Sequence, residues 1–265
     1  MRRQNWVKVA VSGKGGVGKT LIAGGVAYYF VSRGLKTIAI DADTSPNLAL
    51  TLGLPLDEAR KIMPISDNKE LIRSKTSIGD PNVFRLSFTV NDIIGEYSVG
   101  TPFGVNLIVM GTVRSAGSGC ACPANAVIRT LLRHLVVERD EAVVVDMEAG
   151  VEHLGRGTAQ HVDAMLIITD ANMKSLETAR IINNLANGAG IGKIALVGNR
   201  IQNETQAKIV EDFAEKTGLK TLAFIPFDKK VAEAEMRGET PLKYGDSEFV
   251  RAVMKLCDSL ISKNN

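Results

Sequence analysis

Seven short runs of β-branched and aliphatic residues set the fold class of this chain: Val7–Val11, Thr37–Ile40, Val105–Met110, Ala142–Val145, Ala164–Thr169, Ile194–Gly198 and Thr221–Ile225. Most are nearly continuous rather than alternating, the pattern of parallel strands buried on both faces. Helical patterns lie between them. Pro123–Glu138 puts Val127, Ile128, Leu131, Leu132, Leu135 and Val136 on one stripe. Thr20–Ser32 stops at Gly34, and Glu204–Lys216 stops at Gly218. A packed terminal helix is predicted over Ser247–Ser262, with Phe249, Val250, Val253, Met254, Leu256, Cys257, Leu260 and Ile261 on one face. Strands alternating with helices predict an α/β fold: a doubly wound, mostly parallel sheet with helices on both faces. The 265 residues read as a single domain. Residues 53–103, broken by Gly, Pro, Asp and Asn, read as an irregular insertion on the strand-end face.

Composition narrows the function classes. Apolar residues make up 45% and charged residues 23%, which excludes a disordered or collagen-like chain. Lysine and arginine number 32 against 29 aspartates and glutamates, and a net charge of +3 gives no sign of a nucleic-acid surface. No apolar run approaches the roughly 20 residues that span a bilayer. The longest, Leu21–Val31, is interrupted by two glycines, so no membrane partner is expected. The basic start Met1–Gln4 precedes an apolar stretch broken by Lys8 and closed by Ser12, which reads as a strand and not as a signal peptide. Three cysteines are too few for a disulfide framework in a chain of this size, and the expected compartment is the reducing cytoplasm.

Gly13-Lys14-Gly15-Gly16-Val17-Gly18-Lys19-Thr20 fits G-x-x-x-x-G-K-[ST] between a predicted strand and a predicted helix, the context that motif requires. Its glycines free backbone N–H groups to face phosphate oxygens, and the helix N-terminus adds positive potential. The nucleotide-binding set therefore runs from Gly13 to Leu21. In it Lys19 reaches the β/γ-phosphates and the Thr20 hydroxyl ligates Mg²⁺. Val143–Asp146 is a Walker B pattern, with Asp146 holding Mg²⁺ directly or through water.

Gly119-Cys120-Ala121-Cys122-Pro123 follows a run of small residues and precedes the predicted helix. Pro123 suits the first helical position, which puts Cys122 at the N-cap, where the helix field favours thiolate. Two thiolates one residue apart make half of a soft-metal site, and a tetrahedral Ni²⁺ or Zn²⁺ site needs four ligands. Two chains about a two-fold axis would supply Cys₄. Buried thiols and a redox disulfide are the alternatives. The histidines His134, His153 and His161 show no ligand spacing, and Cys257 reads as core.

The second lysine of the loop, Lys14, makes GKGGVGKT resemble the deviant Walker A of the MinD/ParA/nitrogenase-iron-protein superfamily. That resemblance implies that Lys14 acts in trans on a dimer partner's nucleotide. It implies that Asp43 orients the attacking water, that Asp41 lies near the magnesium and that Gly150 offers an N–H to the γ-phosphate. It also makes Asn199, Arg200, Pro226 and Asp228 candidates for the adenine side. Together with Asp41–Gly53, Gly119–Pro123 and Asp146–Thr158, the chain resembles the CooC-type carbon monoxide dehydrogenase accessory ATPases. The resemblance implies a cytoplasmic homodimer that uses ATP and Mg²⁺ to insert nickel into a client nickel–iron–sulfur enzyme, carbon monoxide dehydrogenase or acetyl-CoA synthase. A MinD/ParA-like positioning ATPase and an Fe–S redox protein like nitrogenase reductase are the competing expectations. Neither DNA nor membrane positioning accounts for Cys120 and Cys122. The redox family places its second cysteine just after switch II, where Met147–Leu154 contain none.

Overall fold

A computed structural model describes residues 7–43, 47–68, 70, 90–111, 140–147 and 162–262. The strands are β1 Val7–Gly13, β2 Lys36–Ala42, β3 Val99–Gly100, β4 Asn106–Val109, β5 Glu141–Met147, β6 Ala164–Thr169, β7 Ile194–Ile201 and β8 Thr221–Pro226. The helices among the described residues are α1 Lys19–Ser32, α2 Leu48–Thr51, α3 Leu56–Ala59, α4 Val90–Tyr97, α5 Met173–Gly188, α6 Glu204–Thr217, α7 Lys229–Met236 and α8 Glu248–Ser262. Every predicted apolar run is a strand. The strands form one sheet in the order β3-β4-β2-β5-β1-β6-β7-β8, parallel throughout except for the short edge strand β3.

Side chains alternate between two cores, as strand geometry requires. Val9 and Val11 of β1, with Val144 and Leu166, pack under α1 and α8. Ala10, Ile40, Val143, Val145 and Ile167 pack under α5 and α6. Helix α1 is apolar nearly all round because it is buried between the sheet, α2 and α8. Of the predicted face of α8, Phe249, Val250, Val253, Leu256, Cys257 and Leu260 lie in the first core with Met254 at its edge, while Ile261, at the end of the helix, is exposed instead; Cys257 is fully buried. Burial pushes its thiol well above the usual cysteine range, so it is an inert packing residue.

Several elements were not read from the sequence, helix α5 and the elements of residues 53–103 among them. Helix α5 buries Ser175, Leu176, Ala179, Ile182, Asn183 and Ala186, so that Leu176 and Ile182 alternate with small and polar residues and the apolar period is weak. Its signal was the N-cap at Asn172, whose side chain accepts from the Lys174 N–H. Within 53–103, Leu54 and Ile65 are buried, and β3 pairs with β4, so described parts of this segment belong to the body of the fold. The expected helix over Pro123–Glu138 lies outside the described residues. Among the described residues, no helix is long and apolar enough to cross a membrane.

Candidate active site

The chain passes from β1 to β2 and later from β5 to β6. β5 and β6 flank β1 on opposite sides, which opens a crevice at the strand C-termini. The glycine-rich loop lies there, between β1 and α1. Gly13 leaves the strand with φ 152°, and a Cβ on it would strike the carbonyl oxygen of Ile168 on β6. Gly18 has φ 92° and is the N-cap of α1, where a Cβ would strike the Asn199 amide. Larger residues at either position would open the loop. No side chain caps α1, and its first turn carries no acid. Its first amides are therefore left for an anion from outside the helix. Lys19, only 5% exposed, crosses the loop with its Nζ 3.5 Å from the Lys14 carbonyl oxygen. Lys14 is half-buried.

The acidic residues stand on neighbouring strands. Asp41 on β2 is in register with Asp146 on β5, and both are fully buried. Neither Asp146 oxygen has a hydrogen bond of full geometry. Burial pushes its carboxyl up to about 7. The nearby Asp41 charge adds to this, while the Thr20 hydroxyl and the Lys19 ammonium oppose it. A buried, orphaned carboxylate beside Thr20 at the head of α1 fits a divalent cation. Mg²⁺ therefore suits the residues present, and Thr20 and Asp146 are the side chains that could hold it. Asp41 is turned instead to the backbone. Its oxygens accept from the Asp43 N–H at 3.2 Å and the Leu48 N–H at 3.0 Å, closing the turn between β2 and α2. Burial still pushes it up to about 6.

The ends of β7 and β8 complete the site. Asn199 is buried and its side-chain amide donates to the Val17 carbonyl at 2.7 Å, while the exposed Arg200 donates to the Gly16 carbonyl at 2.9 Å. Pro226 ends β8. Asp228 accepts from the Lys230 N–H at 2.9 Å and the Phe249 N–H at 3.1 Å, joining the starts of α7 and α8. Asp228 thus has a bracing role that its position after a strand did not announce. Ser12, the last residue before Gly13, is buried with an unpartnered hydroxyl. It was missed because it sits inside an apolar run. Cys120, Cys122 and Gly150 lie outside the described residues, as do His134, His153 and His161. Among the described residues, no group of three or more His, Cys, Asp or Glu forms a metal cluster.

A parallel sheet, a phosphate loop between its central strand and first helix, and an orphaned strand-end carboxylate define a P-loop ATPase. The chain belongs to the CobQ/CobB/MinD/ParA nucleotide-binding family, whose model matches residues 8–242. It is 40% identical over 88% of its length to the carbon monoxide dehydrogenase accessory protein CooC of Rhodospirillum rubrum, of which it covers 88%. It is 38% identical over 98% of its length to an uncharacterized ATP-binding protein of Methanocaldococcus jannaschii, covering 99% of that protein. Among solved structures, the septum site-determining protein MinD of Pyrococcus horikoshii complexed with Mg-ADP superposes with a TM-score of 0.69 at 20% identity, covering 96% of both chains. A ParA family ATPase of Chlorobium tepidum gives a TM-score of 0.71 at 17% identity, covering 97% of this chain and 99% of its own.

Proposed function

We propose that this ATPase is a nickel-insertion metallochaperone for a nickel–iron–sulfur enzyme, carbon monoxide dehydrogenase or acetyl-CoA synthase. The observation that carries the reading is the 40% identity to CooC over most of both chains, in a chain that also holds Cys120-Ala121-Cys122. In this reading Lys19 binds the phosphates of its own nucleotide, and Lys14 reaches the nucleotide of a second copy. Asp43 orients the attacking water, and Gly150 donates to the γ-phosphate. Asn199, Arg200, Pro226 and Asp228 border the adenine. Thr20 and Asp146 hold Mg²⁺, which neutralises charge on the phosphates. Cys120 and Cys122 from two copies together bind the cargo metal, and the nucleotide state alters the spacing of the thiolates. Only a difference in metal affinity between those states can drive release to a client.

The test is a nickel titration of reduced, metal-free protein, read as metal per chain, beside the Cys120→Ser/Cys122→Ser variant. The expected result is one nickel per two chains, lost in the variant. Zinc is titrated in competition, since four thiolates suit it equally. Tight nickel binding that survives loss of both cysteines would refute the thiolate site.

A further inference from the structure

We propose that Asn199 and Arg200 are positioning residues for the phosphate loop, fixing the direction of its amides from the far side of β6. The chain has no cis peptide among its described residues, so each carbonyl points opposite to the N–H of the same peptide unit. Arg200 holds the Gly16 carbonyl, which turns the Val17 N–H away from β7. Asn199 holds the Val17 carbonyl, which turns the Gly18 N–H the same way. Two successive amides are thereby presented together, the arrangement that makes an anion-binding nest. Gly16 and Gly18 both have positive φ, and without outside anchors such a glycine-rich turn can rotate its peptides freely.

The end of β7 is shaped for this task. Consecutive residues of a strand point to opposite faces. Here both side chains reach the same loop. The pairing of β7 with β8 shifts register between Gly198 and Ile201, and Arg200 adopts φ 58°, an uncommon conformation for a residue other than glycine. This irregularity aims two neighbouring side chains in one direction. Contacts at Gly16 and Val17 lie on the phosphate-binding backbone, so they affect ligands with no base at all. The inference rests on the nucleotide site alone and is independent of the nickel reading.

The experiment is calorimetric titration of Arg200→Ala, Arg200→Lys and Asn199→Ala with inorganic tripolyphosphate, ATP and GTP. Arg200→Ala is expected to weaken tripolyphosphate and ATP by the same factor, about tenfold, as loss of a charge-assisted hydrogen bond predicts. Because tripolyphosphate carries no base, its loss reports the loop alone, whatever Arg200 contributes beside the adenine. Arg200→Lys, which keeps a cationic donor, recovers most of the affinity. Asn199→Ala also weakens tripolyphosphate. Wild-type tripolyphosphate affinity in Arg200→Ala and Asn199→Ala, with ATP discrimination lost, would show that these residues read only the base and would overturn the proposal. Wild-type affinity for all three ligands would overturn it as well.

Discussion

Lys19→Ala lowers kcat/KM for ATP by about a thousandfold, the scale of removing one charge-stabilising donor from a phosphoryl-transfer site. The buried Nζ at 3.5 Å from the Lys14 carbonyl already lies across the glycine-rich loop proposed to take the phosphates. Lys14→Ala produces a loss of similar size, about a thousandfold, if it acts as an arginine finger does. The two defects differ in kind. Lys19→Ala loses nucleotide affinity, whereas Lys14→Ala still binds ADP and loses hydrolysis together with nucleotide-dependent pairing of chains. Mixing the two inactive variants supplies the decisive readout. A mixed dimer holds one site with its own Lys19 and the partner's Lys14 both intact. Mixing then restores activity, from about a quarter of wild type if all pairs form at random up to about half if only mixed pairs form, since each mixed dimer has one complete site. No recovery on mixing, or full activity of Lys14→Ala alone, contradicts the trans role.

The second large effect is on stability against pH. The Asp146 carboxyl is lifted from 3.8 to about 7 by burial. Between these values the unfolded chain gives up its proton while the folded chain keeps it. The folded state then binds more protons, so stability falls as pH rises. The stabilisation is complete below about pH 4 and is lost by about pH 7, amounting to about 4 kcal/mol for this carboxyl. Asp41, lifted to about 6 chiefly by its own burial, acts in the same direction. The nucleotide-free protein therefore melts at a lower temperature at pH 7.5 than at pH 5. Mg-ADP reverses the trend, because a cation beside Asp146 favours the ionised carboxylate. Asp146→Asn reduces the slope of the free protein's profile to the part left by Asp41 and abolishes the Mg²⁺-dependent gain. Melting curves across that pH range check both statements. A free protein whose melting temperature rises steadily from pH 5 to 7.5 would mean that Asp146 is not a strained carboxylate waiting for a cation.

The strands and the phosphate loop were legible because each follows from local chemistry. Val143–Val145 is β-branched and continuous, the pattern of a doubly buried strand, and Gly13–Thr20 carries its own spacing between a strand and a helix. Asp146 was legible as the polar residue that ends such a strand. Helix α5 was not, because Ala179, Asn183 and Ala186 face the sheet at positions where large apolar residues would have marked the period. Helix α7 was missed for a related reason: Ala234 is the buried residue in an otherwise polar segment. The bracing of the loop by Asn199 and Arg200 was beyond reach. Its acceptors are backbone carbonyls 182 and 184 residues away, and carbonyls carry no sequence signal. Asp41 shows a milder version of the same problem. A strand-end aspartate announces a site, but only the geometry shows its oxygens taken by the Asp43 and Leu48 amides.

In the proposed reading, one chain couples a nucleotide engine to half of a thiolate metal site. The most direct measurement is the nickel dissociation constant of the reduced protein with Mg-ADP and with a non-hydrolysable Mg-ATP analogue, under otherwise identical conditions. The two affinities are expected to differ by about tenfold or more, a gap that vanishes in Cys120→Ser/Cys122→Ser. Equal affinities in the two nucleotide states would contradict it, leaving an ATPase whose metal, if any, is not its cargo.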